Sequence, residues 1–205
     1  MSVKKVEIGA MVKLGIILAL YAAVACVVLA FVYDGTAKII AQRQQADLVA
    51  AIKELFPEAD DFKPFPPNHI QSPDPAVTIE ADGAYIIVSD KVVIGTALRT
   101  SRAGYNGAIK VLVGVRVDGK VCGVKILEHT ETPGLGANAG SATYFVDRGK
   151  GIHFYDQFIG KSANDPFVPK QDVIAITAST ITSRAVSNSV KAAVLATNMW
   201  LGGSK

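Results

Sequence analysis

Seven side-chain hydroxyls crowd into residues 177–189: Thr177, Ser179, Thr180, Thr182, Ser183, Ser187 and Ser189. Such a cluster supports three kinds of chemistry. A hydroxyl can cap a helix by satisfying one of its free N–H groups, worth ~1 kcal/mol. A helix start can hold an anion, because its first N–H groups point outward and its dipole favours negative charge. A hydroxyl can also act as a nucleophile that takes up a phosphoryl group and keeps it, the phosphodiester charge then resting at the same helix end. The residues alone leave all three open. The stretch 174–188 begins as a short apolar run, passes through small hydroxylated residues and becomes a helix-period pattern, which is a good seat for a phosphate.

A second stretch with chemical promise is the loop 129–138. Pro133-Gly134 fits the central pair of a type II turn, with Gly where φ must be positive, and Gly136 allows backbone to approach a ligand closely. It is not a dinucleotide loop, because the third glycine is missing. His69, His129 and His153 are far apart and form no metal-binding pair, so they read as ordinary polar residues. Cys26 and Cys122 form no C-x-x-C, and Cys122 reads as a core residue of a strand. No catalytic acid–base pair and no metal-ligand set stands out. The net charge of +3 is scattered along the chain, which argues against nucleic acid.

These stretches need elements to position them. Residues 14–33 carry no charge and would span ~30 Å as a helix, the thickness of a bilayer core. Ala23-Val24-Ala25 followed by Cys26 resembles a cleavable signal, yet the apolar run continues to Phe31, so a single membrane anchor is expected. Lys4, Lys5 and Lys13 before it balance Lys38, Arg43 and Lys53 after it, so the lysine count barely orients it. Asp34-Gly35-Thr36 breaks the apolar run. A membrane-proximal helix with Ile40, Leu48, Val49, Ile52, Leu55 and Phe56 on one stripe should follow and stop at Pro57. Residues 60–75 hold five prolines and read as a wrapping loop.

Strands are expected at 77–80, 85–89 and 92–99, then a hairpin at 109–117 and 120–128 around Asp118-Gly119, a type I′ signal. That turn sets Val115 opposite Cys122, Val113 opposite Val124 and Val111 opposite Ile126, giving one apolar face and one carrying Gly114, Arg116, Gly123 and Lys125. A helix or second layer should cover the apolar face. Residues 154–158 suggest a helical turn, 173–176 a last short strand, and Ile181 to Leu201 a final helix ended by Gly202-Gly203.

The sequence resembles the G subunit of the Rnf ion-translocating electron-transport complex. It is more distantly similar to the C subunit of the sodium-pumping quinone reductase and to other FMN-binding domains of that type. The residues that carry the resemblance are Gly104-Tyr105-Asn106-Gly107, the run 109–114, Gly119-Lys120-Val121, Glu128 through Gly136, Phe158-x-Gly160-Lys161 and 177–186. The resemblance implies an α+β fold: a single N-terminal transmembrane helix, then an FMN-binding domain with an antiparallel sheet and a packed C-terminal helix. The divisions are 1–35 (cytoplasmic tail and transmembrane helix), 36–75 (membrane-proximal helix and Pro-rich loop) and 76–205 (FMN-binding domain).

In that family the last Thr of a Ser/Thr-Gly-Ala-Thr motif carries FMN as a phosphate ester, made by a flavin transferase from FAD. The matching positions are Thr177, Ala178, Ser179 and Thr180, which makes Thr180 the implied attachment residue. Ala178 replaces the usual Gly, Ser179 the usual Ala, and Ile174 stands where Asp is common. Ile181 and Thr182 continue the pattern, and Glu131, Thr132, Gly134, Leu135 and Gly136 would lie near the ring or ribityl chain. The implied protein is a redox subunit without complete turnover alone. It works with the other subunits of a membrane complex that moves electrons between ferredoxin and NAD, with its flavin domain outside the cytoplasm. The competing expectation is a structural or adaptor subunit that is never flavinylated, Thr180 merely capping a helix.

Overall fold

The computed structural model describes residues 8–66 and 70–203, so His69, Lys4 and Lys5 lie outside the described residues. The described chain falls into two compact units, divided between Asp47 and Leu48. The division falls within a single helix, α1 (Ile8–Leu55), which continues past the end of the apolar run at Asp34-Gly35-Thr36, so the anchor and the membrane-proximal helix are one element. A mid-helix Gly costs only ~1 kcal/mol relative to Ala. The Thr36 hydroxyl turns back to donate to the Val32 carbonyl at 2.8 Å, leaving the helix intact. In the first unit Leu14, Leu18, Leu29 and Phe31 are exposed, and α1 is long and apolar enough to cross a membrane. That is consistent with a single-pass membrane protein.

The second unit is built on a five-stranded antiparallel sheet in the order β1 (Asp61–Pro64), β2 (Thr78–Ser89), β3 (Val92–Ala103), β4 (Ala108–Arg116) and β5 (Val121–Glu128). Two expectations change here. The Pro-rich segment contributes β1, tolerated because it is an edge strand that pairs only with β2. The two runs flanking Asp82-Gly83 are one strand, β2, with an irregularity between Ile79 and Ala84. Arg99 reaches across to hold both Glu80 and Asp82, at 2.5 and 2.6 Å.

The β4–β5 hairpin keeps the expected pairs Val111–Ile126 and Val113–Val124 but sets Val115 opposite Val121. Its turn is not type I′. Gly119 has φ +78° while Asp118 stays out of the left-handed region, the Gly119 N–H donates to the Arg116 carbonyl, and the Arg116 N–H donates to the Lys120 carbonyl. That is a three-residue loop with Gly in the bulge position. A compensating irregularity between Gly114 and Val115 restores the register and moves Cys122 to the other face, where it packs with Leu55 and Phe56.

Both faces of the sheet are covered. On one, α2 (Thr180–Gly203) lays Ala185, Val186, Val190, Ala193 and Val194 over Leu98, Val111, Val113 and Val124. Thr96 of β3 and Thr197 of α2 join their hydroxyls at 2.7 Å. On the other, Leu48, Ala51 and Ile52 at the end of α1, with Phe56 just beyond it, bury against Tyr85, Ile87, Ala97 and Leu112. Between β5 and α2 the chain forms a small hairpin, β6 (Phe145–Asp147) with β7 (Ile152–His153), and a short 3-10 turn, Asp156–Phe158. Residues 173–176 form no strand beyond a single bridge between Pro169 and Val173. The Val173 N–H turns back to the Val168 carbonyl at 3.3 Å, and two others go to side chains: Ile174 to Gln157 Oε1 at 2.7 Å and Ile176 to Ser183 Oγ at 2.9 Å. That leaves no ladder to extend.

Candidate functional site

The hydroxyl-rich stretch forms a tight turn feeding directly into α2. The Ser179 N–H donates to the Ile176 carbonyl at 3.0 Å, with Ala178 at φ +58° in the corner. α2 starts at Thr180, and the Ser183 N–H makes the first helical bond, to Ser179. Among the described residues the N–H groups of Thr180, Ile181 and Thr182 meet no backbone acceptor. They form the positive end of a 24-residue helix.

The hydroxyls divide by what they already hold. Ser183 Oγ donates to the Ser179 carbonyl and accepts from the Ile176 N–H, both at 2.9 Å. Ser187 donates back to the Ser183 carbonyl at 2.8 Å. Thr182, 1% exposed, donates to Glu131 Oε2 at 2.5 Å. Ser189 is buried, Ser179 is 7% exposed, and Thr177 is exposed at the turn. Thr180 is half-buried, on the first turn of α2.

Glu131 is the pivot of the site. It is 5% exposed, and among the described residues no cation pairs with it. Its Oε1 accepts the N–H groups of Tyr105 and Asn106 at 2.8 and 3.1 Å, while Oε2 takes the Thr182 hydroxyl. One buried carboxylate thus ties the loop after β3, the loop after β5 and the start of α2. Two glycines make this possible. A Cβ at Gly104 would meet Glu131 Oε1 at 2.5 Å, and one at Gly136 would strike Glu131 Oε2 and come within 2.6 Å of Thr182 Oγ1. The Pro133-Gly134 corner has the expected form: Gly134 lies at φ +75°, and the Leu135 N–H donates to the Thr132 carbonyl at 3.1 Å. A short 3-10 turn, Gly136–Gly140, follows it.

These segments enclose a cleft of about 420 Å³, within the usual range for small-molecule sites. Its lining includes Glu131, Thr132, Leu135, Gly136, Ala178, Ser179, Thr180, Ile181 and Thr182. Gly134 and Thr177 instead line a neighbouring cavity of about 430 Å³, with Tyr144, Phe145 and Arg148. Leu135 and Ala178 border both. The cleft also includes a residue that sequence reasoning did not single out as a ligand contact, Tyr105. Its only local signal was the pair of flanking glycines, Gly104 and Gly107, which mark a turn at a strand end.

The segment that leads into the site is held by Asp172. Burial pushes its carboxyl up, but the Lys161 ammonium at 2.8 Å and the N–H groups of Val168 and Phe167 more than offset this and hold it below the usual carboxylate range. A lowered value favours the fold above the ordinary carboxylate pKa, and that contribution disappears as pH falls through the lowered value. Asp172 is fully engaged in this role. Among the described residues no group of three or more His, Cys, Asp or Glu is arranged to hold a metal.

Residues 104–195 match the FMN-binding domain family, and residues 1–55 match the RnfG N-terminal region. Over 195 residues the chain is 33% identical to the G subunit of the Na+-translocating ferredoxin:NAD+ oxidoreductase complex of Acetobacterium woodii, covering 89% of each chain. It is 32% identical to the G subunit of the proton-translocating ferredoxin:NAD+ oxidoreductase complex of Clostridium ljungdahlii, covering 86% of each. It is 31% identical to the G subunit of the ion-translocating oxidoreductase complex of Vibrio atlanticus, covering 91% of this chain and 90% of that one.

Proposed function

We propose, for a chain that belongs to the G-subunit family of Rnf-type ion-translocating oxidoreductase complexes, that it is an electron-relay subunit with FMN esterified to Thr180. The observation that carries this reading is the sorting of the hydroxyls. Thr182, Ser183 and Ser187 are spent on internal hydrogen bonds, and Thr177 opens to the neighbouring cavity. Ser179 is nearly covered, whereas Thr180 is half-buried in the cleft at the start of α2, where three N–H groups meet no backbone acceptor among the described residues.

The site fits a flavin phosphate. The helix-start N–H groups and helix dipole suit the charge, and the cleft volume suits a cofactor. In attachment, a bond forms between Thr180 Oγ and the phosphorus of the FMN half of FAD. The pyrophosphate bond breaks, AMP leaves, and the hydroxyl proton passes to the transferase or solvent. When bound, the flavin supplies the redox chemistry, and the protein supplies attachment, position and electrostatics.

The relatives' names support partners of two kinds in function, a ferredoxin side and an NAD side, reached through the rest of the complex. The ion named differs between those two relatives, sodium in one and protons in the other, which places the choice of ion outside what these relatives share. The unit beginning at Leu48 is assigned to the extracytoplasmic side of the membrane, by the family resemblance.

Co-expression with a flavin transferase tests the attachment. The denatured band should fluoresce under ultraviolet light and should lose that fluorescence in Thr180→Ala, while Ser179→Ala and Thr177→Ala retain it. A dark parent band would leave the adaptor role, and a fluorescent Thr180→Ala band would move the bond to another hydroxyl.

A further inference from the structure

The loop between β3 and β4 is held far more tightly than its exposed position requires. The Gly104 N–H donates to the Gly107 carbonyl at 2.7 Å, closing a turn. Asn106 Nδ2 donates to the Thr130 carbonyl at 2.7 Å, and Thr130 Oγ1 returns a bond to the Asn106 carbonyl at 3.0 Å. The N–H groups of Tyr105 and Asn106 both donate to Glu131 Oε1. A buried carboxylate that accepts two backbone N–H groups is a strong fixing point, because each bond is charge-assisted. The residue displayed by this fixed turn is Tyr105. Tyr105 borders the cleft and is 73% exposed. Leu135 and Ile181, 41% and 52% exposed, line the same cleft.

A large aromatic ring presented to solvent by a rigid backbone, beside an apolar cleft, is arranged to cover a flat ligand rather than to fill a core. We infer that Tyr105 is a positioning residue for the flavin. Its ring supplies an aromatic face over the isoalloxazine, and Glu131 holds the Tyr105 backbone in place for that contact. This rests on the flavin occupying the Thr180 cleft. It assigns Glu131 to the loop and to Thr182 rather than to direct flavin recognition.

The contact has a readout that a purely structural role would not move. A tyrosine packed on an oxidised isoalloxazine quenches its fluorescence, the phenol passing an electron to the excited ring and recovering it on decay. The experiment is flavin fluorescence lifetime and visible circular dichroism on the flavinylated full chain. Tyr105→Phe keeps the flat ring but removes the easily oxidised phenol, so the lifetime should lengthen while the circular dichroism stays. Tyr105→Leu should change both. Glu131→Gln keeps an oxygen for the two N–H groups and can pair with Thr182, so it should retain the quenching, whereas Glu131→Ala should lose it. Parent-like lifetimes in both Tyr105→Phe and Tyr105→Leu, in a chain that still shows a fluorescent band after denaturation, would overturn this inference and leave the Thr180 reading standing. A parent chain carrying no flavin overturns both.

Discussion

Ala178 stands where the resemblance leads one to expect glycine in the proposed attachment motif, and its backbone gives a reason for glycine there. At φ +58° it occupies the left-handed region in the corner immediately ahead of Thr180. A Cβ there costs about 1–2 kcal/mol, partly offset by the entropy glycine would lose on folding, so Ala178→Gly should stabilise the fold by about 0.5–1 kcal/mol. A higher urea midpoint with an unchanged slope would show it. If the corner geometry also limits presentation of Thr180, the flavinylated fraction should rise in the same variant. At this scale the hydroxyl cluster was plain in the sequence, but the ranking within it was not. Whether a hydroxyl is free depends on partners elsewhere in the chain: Thr182 is spent on Glu131, 51 residues earlier. Tyr105 was hidden for the same reason, since its exposure beside the cleft follows from a carboxylate 26 residues downstream.

The end of α1 seats on the sheet through a floor of glycines, and this is how the second face of the hairpin comes to be buried. A Cβ at Gly95 would meet the Val115 carbonyl oxygen at 2.5 Å and the Phe56 ring at 2.9 Å; one at Gly123 would meet only the tip of Leu55, at 2.6 Å. Phe56, fully buried, fills the hollow, with the Arg116 guanidinium 5.9 Å from its ring centre. Phe56→Ala should therefore cost about 3–5 kcal/mol, and Gly95→Ala, which meets backbone, about 1–3 kcal/mol, while Gly123→Ala displaces only a flexible side chain and costs less. Urea unfolding of the three variants checks the order; a Gly123→Ala as damaging as Gly95→Ala would refute it. The sequence showed the valine face because alternation in β4 reads directly. It did not show the glycine face as buried, because absent side chains carry no hydropathy signal. Cys122 was placed opposite Val115 for want of the Gly119 bulge. On the glycine face, burial pushes its thiol up to about 11, so it stays protonated at neutral pH.

At the scale of the whole molecule, the order of anchor, sheet and terminal helix was legible because each has its own hydropathy pattern, whereas the aromatic-rich segment between β5 and α2, apart from its helical turn ending at Phe158, was not. That segment is fixed by side-chain contacts, such as Gln157 bracketing the backbone of Ile174 and Phe154 meeting Phe158 edge to face at 5.6 Å. Neither leaves a periodic trace. Orientation in the membrane is a further property set by the whole chain. Lys4, Lys5 and Lys13 stand before the apolar stretch, and Lys38, Arg43 and Lys53 after it. Basic residues within about 15–20 positions of a span favour the cytoplasmic side, and here the two flanks nearly cancel. An extracytoplasmic flavin unit then depends on a small bias, and single charges should tilt it. With alkaline phosphatase fused at the C-terminus, active only outside the cytoplasm, the parent should score high. Lys13→Glu should lower that activity at equal expression, and Lys38→Gln should keep or raise it. Low parent activity would place the flavin unit in the cytoplasm. Activity unchanged by Lys13→Glu would show that the assembled complex, rather than the flanking lysines, sets the orientation.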